Sequence, residues 1–452
     1  MNNLPEFQNT KEWYLSNFKS FEEKVNGESK TFFHELRKKA ILKLSELNFP
    51  STHQEEWKYT NVSPILKQNF VPAQIADFSL PAKSEIEKCL FTGFDYHLLV
   101  FTNGIFNKEL SNISELPSGV YIGNLKNAVL NSPNLVDGYL NKYAEIENAF
   151  NALNLIYASD GLAVVIPDNV IVDKPIQLLF INGDYHNLIL SQPRNIIVAG
   201  KNSHVSLIAN YYGSGDKQYF TNAVTEIFAG ENSIIDFYKI QNEYDDSFHI
   251  EKVQAYQQKA SVFNHYNFTF GGGLVRNDIN SKLDGENIET HYYGLYLANN
   301  KQHIDNHTFV DHVKPYCMSN ELYKGILDGS SRGVFNGKII VRKDAQKTNA
   351  YQQNKTILLS KTARVDAKPQ LEIFADDVRC THGATVGHLD DTADFYIRSR
   401  GIPEELAKSM LIRAFANDVV EAVKVDAIKE KINHMIFEHL HRVEIVDSEK
   451  SQ

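Results

Sequence analysis

The sequence predicts a mainly β protein: a parallel β-helix core flanked by an amino-terminal mixed, largely helical domain and a carboxyl-terminal helical domain. Three observations carry this. From about Gly161, short runs rich in Val, Ile, Phe and Tyr alternate with turns, as in Leu162-Ala163-Val164-Val165-Ile166, Val205-Ser206-Leu207-Ile208 and Ile234-Ile235-Asp236-Phe237-Tyr238. The turns also repeat their chemistry: Ala199-Gly200-Lys201-Asn202-Ser203 returns as Ala229-Gly230-Glu231-Asn232-Ser233, then as Asp284-Gly285-Glu286-Asn287 and Asp328-Gly329-Ser330-Ser331. From Leu327 the beat is roughly sixteen to eighteen residues, as expected of stacked coils. A β-sandwich has as many short strands but no reason to repeat its turns, so the β-helix is preferred.

Taken in chain order, residues 1–157 read as the largely helical domain. Apolar residues recur at three and four from Thr31 to Leu47, and Pro50-Ser51 ends the pattern. Residues 158–388 form the β-helix, in which Gly271-Gly272-Gly273 is expected to bend the chain between coils. Residues 389–452 return to helix. Asp390 or Asp391 caps a short helix through Arg398, Gly401 ends it, and Pro403-Glu404-Glu405 opens the next. In that helix Leu406, Met410, Phe415 and Val419 form an apolar side, and Ile428, Ile432, Ile436 and Leu440 form another in the last helix. Such stripes pack on the body of the protein or dock a partner.

A chain of 452 residues suggests about two or three domains. No run approaches the ~18 apolar residues of a membrane span, and Met1 to Glu6 lacks the head of a signal peptide, so a soluble, cytoplasmic protein is expected. A net charge of −10 with no dense Lys/Arg cluster argues against nucleic acid. Cys89, Cys317 and Cys380 are too scattered for a disulfide framework or a C-x-x-C metal site. Gly333 to Lys338 has the wrong spacing for a phosphate loop, so ATP hydrolysis is not expected of this chain, and no dinucleotide or flavin fingerprint is present.

Two constellations bear chemistry. In a strand from Val378 to Val386, Cys380 and His382 point to one face with Val378, Ala384 and Val386. A thiolate and an imidazole suit iron, zinc or an iron–sulfur cluster, while the apolar company equally suits a buried thiol and a core histidine. Likewise His303, Asp305, His307, Phe309 and Asp311 share a face that reads as solvated or partner-facing and that offers ligands for a divalent metal.

The segment from Gly271 to Gly387 resembles the SufB/SufD family of iron–sulfur cluster assembly proteins, notably in Arg276-Asn277-Asp278, Gln302-His303-Ile304-Asp305-Asn306-His307-Thr308, Glu321-Leu322-Tyr323-Lys324-Gly325 and Lys368-Pro369-Gln370-Leu371-Glu372-Ile373. Glu56-Trp57-Lys58-Tyr59-Thr60 and Phe395-Tyr396-Ile397-Arg398-Ser399-Arg400-Gly401-Ile402 extend the likeness to both flanks. Asn354 stands where the SufB branch carries a cysteine, which puts the chain on the SufD side; Thr381 replaces the usual serine. The resemblance implies a right-handed β-helix and a non-catalytic scaffold that meets SufB through its last coils and two copies of the ATPase SufC through its carboxyl-terminal helices. It implies no cofactor in the isolated chain, a transient iron–sulfur cluster or iron at the SufB–SufD interface with His382 and Cys380 as its ligands here, and reduced FAD, when present, on SufB. An exposed β-helix edge that normally meets SufB could also meet a second copy of this chain. The rival readings are a β-helical carbohydrate-active enzyme, which predicts secretion and an acidic groove, and a stand-alone metal-binding or flavin-binding protein.

Overall fold

From Leu162–Ile166 to Arg379–Gly387, strands alternate between two sheets whose successive members pair in parallel, giving a β-helix of about eight coils. The computed structural model describes residues 8–25, 28–75, 81–184, 186–215 and 217–449, with side chains through residue 439; Met1 to Glu6 and the Leu440 side chain lie outside these. In-register partners are 31 and 30 residues apart, Met318 on Asn349 and Asn349 on Arg379. The beat seen in the sequence is therefore a half coil, the step from one sheet to the other.

The repeated turns have a physical cause. Asn202 and Asn232 take positive φ (54° and 58°), a conformation that asparagine tolerates and most side chains avoid. Their amides stack, Asn232 Nδ2 donating to Asn202 Oδ1 at 2.8 Å and Asn202 Nδ2 to Asn169 Oδ1 at 2.7 Å. Ser203 and Ser233 each return their hydroxyl to the carbonyl of the turn glycine, Gly200 and Gly230. Between coils, Gly272 has φ +87°, so the glycine run makes the expected bend.

The amino-terminal region closes one end of the solenoid. His97–Thr102 extends one sheet in parallel, and Tyr121–Asn124 caps the other antiparallel to Leu162–Ile166. These strands lie within the segment that reads as largely helical, because short buried apolar runs have no decisive period. Helix Phe32–Glu46 matches its predicted span, with Thr31 as N-cap accepting from the His34 amide. Helix Ala149–Tyr157 is buried along its whole length beneath it.

At the other end come helices Asp391–Arg398, Glu404–Glu421 and Asp426–Glu449. Asp390 caps the first, accepting from the Thr392 and Ala393 amides. Ile428, Ile432 and Ile436 pack on the solenoid, against the patch of Tyr238, Ile240, Tyr266 and Phe268. In the preceding helix the buried residues are Ala407, Ile412, Ala416, Val419 and Val420, whereas Leu406 and Met410 are exposed. Of the stripe expected there, Val419 is buried and Phe415 packs against the same core, while Leu406 and Met410 face solvent. Among the described residues, no helix is long and apolar enough to cross a membrane.

Candidate functional site

The last coil carries the two donors singled out from the sequence. Strand Arg379–Gly387 pairs with Asn349–Leu358, setting Cys380 on Ala350, His382 on Gln352 and Ala384 on Asn354. The Ala350, Gln352 and Asn354 positions point into the solenoid and are fully buried, since a coil covers them. Among the described residues no strand covers the next layer, so the same inward face is left open at Cys380 and His382. Cys380 is half-buried against the interior core, and burial pushes its thiol up. His382 is exposed, which removes the reading of a hydrogen-bonded core histidine.

The geometry therefore brings thiol and imidazole to one face of an unfinished coil, two residues apart on one strand. Two donors do not complete the four positions that zinc or an iron–sulfur cluster requires. Among the described residues, no group of three or more His, Cys, Asp and Glu is placed to hold a metal ion. The other thiols are buried elsewhere: burial pushes Cys89 up to about 12 and Cys317 up to about 11, the latter also donating to the Gly285 carbonyl. Around the open coil, large apolar side chains stay in solvent: Phe374 is 63% exposed, with Ile373, Val386 and Tyr351 also exposed.

The second constellation resolves differently. His303, Asp305 and His307 face the chain's own segment Glu56 to Thr60, so the face is neither solvated nor free. Arg276 lies over the Trp57 ring at 3.7 Å, pairs with Asp278 at 2.8 Å and Asp305 at 3.0 Å, and donates to the Glu56 carbonyl. Thr60 donates to Asp305 Oδ2 at 2.5 Å, and His307 Nε2 meets Asp305 Oδ1 at 3.0 Å. Burial opposes a charge on Asp305, yet His307 and Arg276 hold its carboxyl well below the usual range. Burial and Arg276 depress His307, but Asp305 and Glu56 outweigh them and raise it. The guanidinium thus stands as the cation among these side chains, where a metal ion would otherwise have to sit. Sequence alternation identified the shared face, but could not show which distant segment covers it.

Sequence reasoning missed the residues beneath His382. Gln352 and Glu321 stack under it in register, with Glu321 Oε2 accepting from Gln352 Nε2 at 3.3 Å and Thr308 Oγ1 at 2.5 Å. The signal was available as polar residues at inward parity, but reading it needs the coil length of about thirty residues rather than the half-coil beat.

The chain's relatives agree on one family. Residues 180–415 match the SUF system FeS cluster assembly SufBD core domain, and residues 8–178 match the SufBD protein N-terminal region. A Synechocystis iron–sulfur cluster assembly SufBD family protein is 31% identical over 91% of this chain and 92% of its own length. The iron–sulfur cluster assembly protein SufD of Escherichia coli is 30% identical (87% and 89%), and that of Bacillus subtilis 24% identical (92% and 96%).

Proposed function

The chain belongs to the SufBD family of iron–sulfur cluster assembly proteins, and on that premise we propose that it is a non-catalytic scaffold subunit whose unfinished last coil is completed by a SufB-type partner. The observation that carries this is the open coil itself: Cys380 and His382 lie on a face that every earlier coil buries, rimmed by exposed Phe374 and Val386. The partner's coil would cover that apolar rim and supply the remaining donors. The iron–sulfur cluster or iron is then cargo held briefly between two subunits, with His382 as a ligand or proton-handling group and Cys380 as a second donor. In the absence of that partner, a second copy of this chain is the natural occupant of the rim.

A SufC-type ATPase is assigned to the carboxyl-terminal helices. Their inner face is engaged with the solenoid, which leaves Phe395, Tyr396, Leu406 and Met410 exposed for a partner. ATP hydrolysis belongs to that partner, reduced FAD, when present, to the SufB-type subunit, and the site of action is the cytoplasm. Mixing the purified chain with SufB-type and SufC-type subunits should yield a stable ternary complex; a β-helical carbohydrate-active enzyme would ignore both. Removing the helices would uncover the sheet face they bury, so the cleaner test of the ATPase dock is Phe395→Asp with Met410→Asp. That variant should stay folded by circular dichroism and lose the SufC-type subunit while keeping the other. Retention of both would refute the assignment of these helices.

A further inference from the structure

The face that ends in His382 continues into the bore of the solenoid. Register stacks Tyr292, Glu321, Gln352 and His382 on successive coils, and in-register neighbours on paired strands are roughly 4.8 Å apart. Glu321 and Gln352 are both fully buried. Among the described residues, the partners of Glu321 are the Thr308 hydroxyl and the Gln352 amide, both of which donate to Oε2. Among the described residues, neither Glu321 Oε1 nor Gln352 Oε1 has a hydrogen-bond partner.

Both orphaned atoms are acceptors, and turning the amide end for end only moves the shortage from one to another, so no arrangement of the ionised pair satisfies both. One hydrogen on Glu321 Oε1 does: a neutral carboxylic acid and a primary amide pair head to head through two hydrogen bonds, acid to amide carbonyl and amide to acid carbonyl. An ionised Glu321 would instead be a buried carboxylate facing only hydroxyl and amide groups. Its titratable neighbours are the Tyr292 phenol from the coil below and the Tyr323 phenol on its own strand, and burial keeps the proton on each of them. Burial likewise pushes Glu321 up to about 7, with Thr308 and Gln352 pulling the other way.

We infer that Glu321 is a positioning residue of the open edge, a neutral acid that locks the Gln352 amide, which register sets directly beneath His382. Loss of the Glu321 proton frees the amide to turn. This deepens the proposed function and rests on it for its purpose, but its test does not need a cluster.

The full chain is compared with Glu321→Gln, whose amide reproduces the pairing of the neutral acid at every pH, and with Gln352→Leu, which breaks the link to His382 and keeps the acid. Infrared spectra of the wild type should contain an un-ionised carboxyl band that fades through about pH 7 and is missing from Glu321→Gln. The ring signal of His382 in carbon-13 histidine-labelled protein should follow a different pH curve in the wild type from the one it follows in either variant, while Gln352→Leu retains the infrared band. Absence of an un-ionised carboxyl assignable to Glu321, or a His382 signal that follows one curve in all three proteins, overturns the inference. The proposed function fails on a separate result, undiminished cluster formation by His382→Ala in the assembled complex, and the two failures are distinguishable.

Discussion

The two ends of the solenoid face the same physical problem and answer it differently. A stack of coils leaves unpaired strand edges and an uncovered interior at each terminus. At the amino-terminal end the chain covers both itself: short strands continue the sheets, helix Ala149–Tyr157 is buried throughout, and Phe150, Leu153 and Tyr157 lie in one core with Tyr14, Phe21 and Trp57. At the carboxyl-terminal end the helices turn aside onto a sheet face, and the last coil leaves His382, Ala384 and Val386 of its inward face in solvent. The difference teaches that the open end is not a shortage of capping material. The chain has three helices at hand there and places them elsewhere.

Mutations should separate the ends by stability. Phe150→Ala, at the closed end, removes a fully buried ring and should cost about 3–5 kcal/mol in chemical denaturation. Breaking the bridge between the amino-terminal segment and the middle coils should cost nearly as much. Arg276→Ala leaves Asp305 buried without its guanidinium, a loss of about 3–5 kcal/mol. The loss should shrink at low pH, because the depressed Asp305 carboxyl contributes stability above its unfolded pKa and loses it as pH falls. Thermal melts across the acid range would check this, and an unchanged Arg276→Ala difference at all pH values would contradict it.

Glu321, on the inward face leading to the open end, should show the opposite sign. Its folded pKa of about 7 exceeds the unfolded value of roughly 4.3, so its proton is bound more tightly in the folded state. Stability is then full below the lower value and declines as pH rises toward 7, by about 1.4 kcal/mol per unit and on the order of 4 kcal/mol in all. Glu321→Gln should flatten that decline. The smallest effect belongs to the open rim itself: Phe374→Ala should change stability by ~0.5 kcal/mol or less, since the ring is in solvent. A loss of several kcal/mol there would mean that the end is closed after all.

How far the sequence alone reached follows from the same contrast. The β-helix was legible because its turns need asparagine at positive φ and a serine three residues beyond the glycine, a chemistry that leaves a repeated word at Gly200 and Gly230. The cap at Asp390 was legible because a carboxylate must satisfy the first helical amides. The pairing of Cys380 with His382 on one face followed from strand alternation. Hidden from the sequence were contacts that join distant segments: Trp57 under Arg276, and the exposure of Leu406 and Met410, which depends on where the helix lies on the sheet. Alternation also cannot say whether a face is covered, and that decided the fate of both constellations.

The most direct test of the central claim is a comparison of His382→Ala with wild type in the complete complex with SufB-type and SufC-type subunits, measuring complex yield and iron–sulfur cluster formation on the same sample. Because His382 is exposed, its removal should not disturb folding. The account predicts normal complex yield with clusters no longer matured, and a milder defect for Cys380→Ala, whose small replacement fills most of the space of a half-buried thiol. Full cluster production by His382→Ala in an assembled complex would contradict it.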